Sequence, residues 1–293
     1  MAHIKRDTPE LAQARLWLWL GRLLDETPAR AQPALEQAVE LYRKLRDPIG
    51  LGLSLMRLGR VLALMGRFEQ SEATLTEARP LLERAGPTAL NYYDFNFGFL
   101  KNLAGDPAAA RVHYERALEL AREQRNELGV LATMANLANA KWGLGDLDAA
   151  AESLRELMSI MRSSPASTRR MLGFALMNLA ELLVEKKDLD ASLAFAREGL
   201  PLVKADGSAW IFSDYGALRA SSEGNFAKAA LLAGYADRAH ESNGGTRSFV
   251  TARARDRMRG LLSEKLSAAE LERLLAEGAQ MTEDEACRLA LQD

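Results

Sequence analysis

The chain has a single cysteine, nine prolines and three histidines among its 293 residues. One thiol, Cys287, excludes an intramolecular disulfide and any zinc site made of several cysteines. His3, His113 and His240 form no H-E-x-x-H motif and no close pair, so a histidine metal site also lacks its ligands. No stretch approaches the roughly 20 apolar residues that a membrane-spanning helix requires. The opening MAHIKRDTPE lacks the apolar run of a signal peptide, and His3 reads as a cloning remnant. These features lead us to expect a cytoplasmic protein without membrane contact. Charge of one sign is missing too: 38 basic and 40 acidic residues leave a net charge of −2. That balance gives no long-range attraction to nucleic acid, and direct binding to it is not expected.

Chemical motifs are equally sparse. No G-x-x-x-x-G-K-[ST] phosphate loop occurs, and the SNGG stretch at 242–245 lacks both a lysine and a preceding strand, which makes it a connector. Cys287 has no visible base to activate it and reads as a half-buried structural thiol. His113 reads as a surface or interhelix residue. Carboxylate pairs such as Glu181 with Glu185 read as exposed faces. The four arginines of TARARDRMRG, at 253, 255, 257 and 259, are two residues apart. On a helix that spacing scatters them around the side, as on a solvated helix. No acid, base, nucleophile, metal or cofactor constellation stands at readable spacing, so no catalytic residue is assigned and no cofactor is expected.

What the sequence has in quantity is helix-forming residues and repetition. Apolar residues make up 48% of the chain, with abundant Ala, Leu, Glu and Arg. NLANAKWGLGDLDAAAESL, from Asn136, returns forty-two residues later as NLAELLVEKKDLDASLAFA, from Asn178. Aligning on one small residue gives six units: WLWLG ending at Gly21, LMRLG at Gly59, DFNFG at Gly98, MANLA at Ala138, LMNLA at Ala180 and SDYGA at Ala217. Seven residues later most units carry a turn, at Gly66, Gly105, Gly145, Lys187 and Gly224. A glycine there ends one helix and a neighbouring Asp or Asn caps the next. Each unit is therefore expected to be two antiparallel helices whose small residues permit close packing.

This pattern resembles the tetratricopeptide repeat, with Trp17, Leu20 and Gly21 matching its W-x-x-L-G opening. Successive units are 37 to 42 residues apart, longer than that repeat's usual 34 or so. The surplus falls in RNELGV and RSSPASTRR between units. The expected fold is all-α: a right-handed tetratricopeptide-like α-α superhelix of about six helix pairs over 8–240, closed by capping helices over 248–293. Within the closing segment, Ser267 and a Thr282/Glu285 capping box mark helix starts. AALLAGYAD (229–237) and the AEG…LAL closing (276–291) resemble the end of bacterial STAND-class signalling ATPases with LuxR-type or winged-helix domains. That resemblance implies the repeat region of such a transcriptional regulator, without its ATPase.

In tetratricopeptide domains the first helices line a concave groove. Two residues before the small residue stand Asn96, Asn136 and Asn178, and an amide at this register can hold a peptide backbone through both donor and acceptor. The alternative is that these amides brace helices. One turn along lie Arg22, Arg60, Phe99, Asn139 and Glu181; Tyr92, Phe95 and Trp142 add aromatic surface, and the two arginines suit an anionic group. The resemblance thus implies a non-catalytic module that binds a protein, a peptide or a small effector. The competing readings are a groove enzyme, a hydrolase or phosphatase, and a free-standing peptide-binding regulator.

Overall fold

The computed structural model describes residues 9–24, 27–164 and 167–292. His3 and residue 8, where the repeat array is expected to begin, lie outside them. The described residues are helical apart from turns and contain no strand. They divide into two compact units.

The first unit, residues 1–126 with 244–246, contains three helix pairs. They are α1 (Pro9–Leu23) with α2 (Pro28–Leu45), α3 (Pro48–Leu64) with α4 (Phe68–Glu83), and α5 (Pro87–Leu103) with α6 (Pro107–Glu123). Proline opens five of these six helices, where its missing N–H would have had no partner in any case. The Asp47 carboxylate accepts from the amides of Ile49 and Gly50, and Asp106 from that of Ala109.

The second unit, residues 127–243 with 247–293, contains three further pairs and three more helices. The pairs are α7 (Glu127–Gly143) with α8 (Leu147–Ser163), α9 (Arg169–Glu185) with α10 (Leu189–Ala205), and α11 (Asp214–Ser222) with α12 (Phe226–Asn243). A 3-10 turn at Ala209–Phe212 precedes the shortened α11. The chain ends with α13 (Phe249–Lys265), α14 (Ala268–Gly278) and α15 (Glu283–Ala290). Ser267 caps α14, and Thr282 with Glu285 forms a reciprocal capping box on α15.

Both devices legible in the repeat are present. Gly66, Gly105, Gly145 and Gly224 have φ between 72° and 88°, and Lys187 holds the same left-handed conformation at 64°. A Cβ on Gly59 would lie 2.6 Å from Leu75 Cγ, and one on Gly98 2.9 Å from the Tyr114 ring. The second helix thus drops a bulky, fully buried side chain, Leu75 or Tyr114, onto a glycine of the first. Ala138, Ala180 and Ala217, at the same register, are fully buried. At RNELGV the surplus length lies in the helices, since α6 ends at Glu123 and α7 already begins at Glu127, whereas RSSPASTRR spans the connection between α8, which ends at Ser163, and α9, which begins at Arg169.

In the second unit α14 crosses α12 with backbone in contact. A Cβ on Gly234 would collide with the Leu275 carbonyl, and one on Gly278 with that of Leu231. Gly260, on α13, has open space around its would-be Cβ. The two sites give alanine substitutions of opposite sign. In chemical denaturation Gly278→Ala is expected to lower stability by about 1–3 kcal/mol through overpacking. Gly260→Ala should raise it by about 0.5–1 kcal/mol through reduced backbone entropy.

Candidate ligand-binding face

The residues singled out from the sequence fall on first helices in both units. In the first unit Arg22 stacks its guanidinium 5.0 Å from the Trp19 ring centre. Arg60 of α3 lies 4.1 Å over the ring of Phe99 on α5, so these two predicted residues meet. The Arg60 Nη1 is buried and has no hydrogen-bond partner. Tyr92 is 42% exposed. Phe95 turns towards α6 and meets Tyr114 edge-on at 6.0 Å. Asn96 is buried, and its Nδ2 donates to the Tyr92 carbonyl at 2.6 Å. His113 pairs with Asp94 at 2.8 Å between α6 and α5, an interhelix position.

In the second unit Asn136 is half-buried and its Nδ2 donates to the Ala132 carbonyl at 2.9 Å. Asn139 and Asn178 are also half-buried, and the Asn139 Oδ1 is shut from solvent without a partner. Trp142 and Glu181 lie deeper than aromatic surface and an exposed carboxylate would. Trp142 is 2% exposed and Glu181 4%. Both line a cavity of about 340 Å³ formed by α7, α9, α11 and α13. The three amides do not line it.

A layer of buried charge, mostly unanticipated from the sequence, sits beside this cavity. Asp214, the first residue of α11, is fully buried. Its Oδ1 takes Nη1 of Arg255 at 2.5 Å and its Oδ2 takes Nε of Arg247 at 2.5 Å. Arg255 also reaches Asp237 of α12 and the Ala233 carbonyl. His240 Nε2 stands 3.4 Å from Asp214 Oδ2. Burial opposes ionisation of Asp214, but His240, Arg255 and Arg247 outweigh it and hold the carboxyl down at about 2. Arg255 is therefore an internal counter-ion, whereas the two-residue arginine spacing suggested a solvated helix. Its neighbours on α13, Arg253 and Arg257, reach Glu185 at 3.7 and 2.9 Å, and Glu185 Oε2 accepts from Trp142 Nε1 at 2.7 Å.

Glu181 has no such support. Its Oε2 accepts from the Thr251 hydroxyl at 3.1 Å, and its Oε1 is buried with no partner. Burial first, and the negative charge of Asp214 second, push its pKa up to about 8. It therefore keeps its proton at neutral pH. Among the described residues no cluster of His, Cys, Asp and Glu fits a metal ion, and no helix is long and apolar enough to cross a membrane. Cys287 is partly buried, and burial raises its thiol to about 11.

Residues 87–163, from the first residue of α5 to the last of α8, match the tetratricopeptide repeat family. Among solved structures, the chain is similar to a Rap protein complexed with competence and sporulation factor. The TM-score is 0.72 at 15% identity, over 96% of this chain and 77% of that one. It is also similar to BtubC (BKLC) from P. vanneervenii, with a TM-score of 0.52 at 18% identity, over 82% of this chain and 94% of that one. No curated protein matches. The fold expected from the repeats, an all-α tetratricopeptide-like superhelix, is the fold observed.

The two buried carboxyls predict opposite responses to pH. Asp214 has its pKa lowered from 3.8, so its stabilisation is full above that pH and is lost as pH falls towards 2. Asp214→Asn should cost about 3–5 kcal/mol at pH 7, because the buried Arg255 and the partly buried Arg247 each lose one of their two carboxylate partners. Glu181 has its pKa raised from 4.5 to about 8, so the folded state holds a proton the unfolded state has lost, and stability falls as pH rises through that window. Glu181→Gln should therefore gain on the parent between pH 4.5 and 8, read from urea midpoints across the series.

Proposed function

We propose that the chain is a non-catalytic binding module that holds a peptide, a partner domain or a small effector against the first helices of its repeats. Three residues picked at those registers supply the observation that carries this reading. Arg60, Asn139 and Glu181 each contain a buried polar atom without a protein partner. Buried polar groups are almost always paired in folded proteins, and a ligand that pairs them would recover the cost of their desolvation. The complex of a similarly folded Rap protein with competence and sporulation factor supports the use of this architecture for ligand capture. Arg22, Tyr92, Phe95, Asn96 and Phe99 complete the face proposed for the first unit, and Asn136, Trp142 and Asn178 that proposed for the second.

For the wider setting we propose the sensor repeat region of a bacterial ATPase-coupled transcriptional regulator, cytoplasmic, with residues 248–293 capping the array. The sequence resemblance of 229–237 and 276–291 supports this setting. Gly278 of the second segment packs on Leu231 of the first, and Gly234 of the first on Leu275, just before the second.

The test is a thermal-shift screen of peptides and small molecules together, repeated on Arg60→Leu, Asn139→Leu and Glu181→Gln. A ligand of the proposed face should lose about tenfold or more in affinity in at least one variant, since an unpaired hydrogen-bonding group costs about 1–3 kcal/mol. Unchanged affinity in all three variants for every ligand found would overturn the proposal.

A further inference from the structure

The cavity beside Glu181 has an apolar body and one polar defect. Trp142, Val184, Leu218, Ala254, Met258 and Leu261 form its apolar wall. The other charged groups in the lining already have partners: Glu185 is bound by Trp142 and Arg257, and Lys187 Nζ donates to Ser222 Oγ at 3.2 Å. Glu181 is the exception. It is 96% buried from solvent by its 4% exposure, it belongs to the lining, and its Oε1 has no donor. About 340 Å³ is room for a ligand of small-metabolite size, and such sites pair apolar walls with a few placed polar groups.

We propose that this cavity binds a small organic amine: an aromatic or aliphatic body against the apolar wall, and a protonated nitrogen donating to Glu181 Oε1. This specifies a ligand class for the binding function proposed above and rests on that reading. A cation is favoured over a neutral donor because of the charge around Glu181. Asp214 and Tyr215 face it from α11, with the Asp214 charge repelling its ionised form, and α13 gives it only the Thr251 hydroxyl. Arg255, Arg247 and His240 are turned to Asp214, and Arg253 and Arg257 to Glu185. Among the described residues no counter-charge is directed at Glu181, and an ammonium group provides one.

Occupancy by a cation then requires Glu181 to release its proton, so binding is linked to pH. Because its pKa is pushed up to about 8, affinity for an amine should rise by about tenfold per pH unit from pH 6 and level off near pH 8.

The test uses the full chain and three compounds with one ring system: tryptamine, tryptophol and indole-3-acetate, with hexylamine as a linear amine. Tryptamine or hexylamine should raise the melting temperature saturably and release about one proton per ligand at pH 6.5, read by calorimetry in buffers of different ionisation enthalpy. Tryptophol and indole-3-acetate should bind at least about tenfold more weakly. Glu181→Gln, checked for an unchanged helical spectrum, should lose that preference, and Leu261→Trp should block the cavity without touching the carboxyl. Failure of both amines to bind, equal binding of the alcohol, tighter binding of the acid, or retention of amine affinity in Glu181→Gln each overturns the assignment. The screen on the Arg60 and Asn139 variants is independent of these outcomes, so the broader binding function can stand while the amine class falls.

Discussion

Both units depend on how closely the two helices of a pair approach at one residue. Where Gly59 faces Leu75 and Gly98 faces Tyr114, there is no space for a Cβ. A large side chain from the second helix therefore packs against the backbone of the first. This contact fixes which face of the first helix points inward and leaves the residue one position further on at the edge of the pair. Arg60, Phe99, Asn139 and Glu181 all stand at that following position. The packing rule and the candidate face are thus two readings of one register, the first set by steric exclusion and the second by what remains uncovered.

In the second unit the face is not left open. Helix α13 lies along the cavity and sends Thr251 to Glu181, Arg255 to Asp214, and Arg253 and Arg257 to Glu185. The chain thereby neutralises three of its own carboxyl groups to very different degrees. Asp214 is surrounded by cations and fully ionised, Glu185 is shared at the surface, and Glu181 receives one neutral donor. The difference follows from which side chains reach each one, from α13 to all three and from Arg247 and His240 to Asp214 alone. A hydroxyl cannot compensate the desolvation of a carboxylate as a guanidinium can, and this leaves Glu181 as the site where an added charge gains most.

Much of the fold was legible because its signals are steric and local. The small residues at 21, 59, 98, 138, 180 and 217, the left-handed turns and the Asp caps act within a few residues of where they stand, and each left a mark in the sequence. The buried charge was harder to read because its partners are distant. Arg255 lies 41 residues from Asp214, and Thr251 lies 70 from Glu181. The arginine spacing on α13 fits a solvated helix until α11 is placed beside it. One signal was nevertheless present: three residues before the aligned small residue stand Leu18, Met56, Phe95, Ala135 and Met177, and then Asp214. A carboxylate at a register otherwise apolar calls for a cation somewhere else in the chain. The amides at 96 and 136 carried no comparable signal, because a bond from Nδ2 to the carbonyl four residues earlier is open to an asparagine in any helix.

The order of the chain gives the Asp214 cluster a temporal side. Protein synthesis delivers Asp214 first, Arg247 33 residues later and Arg255 41 residues later. At about 5–20 residues per second, translation leaves the aspartate without its arginines for about 2–8 s. During that interval α11 has neither arginine to hold its first residue in ionised form, and the latch on the last helix pair is complete only once Arg255 emerges on α13.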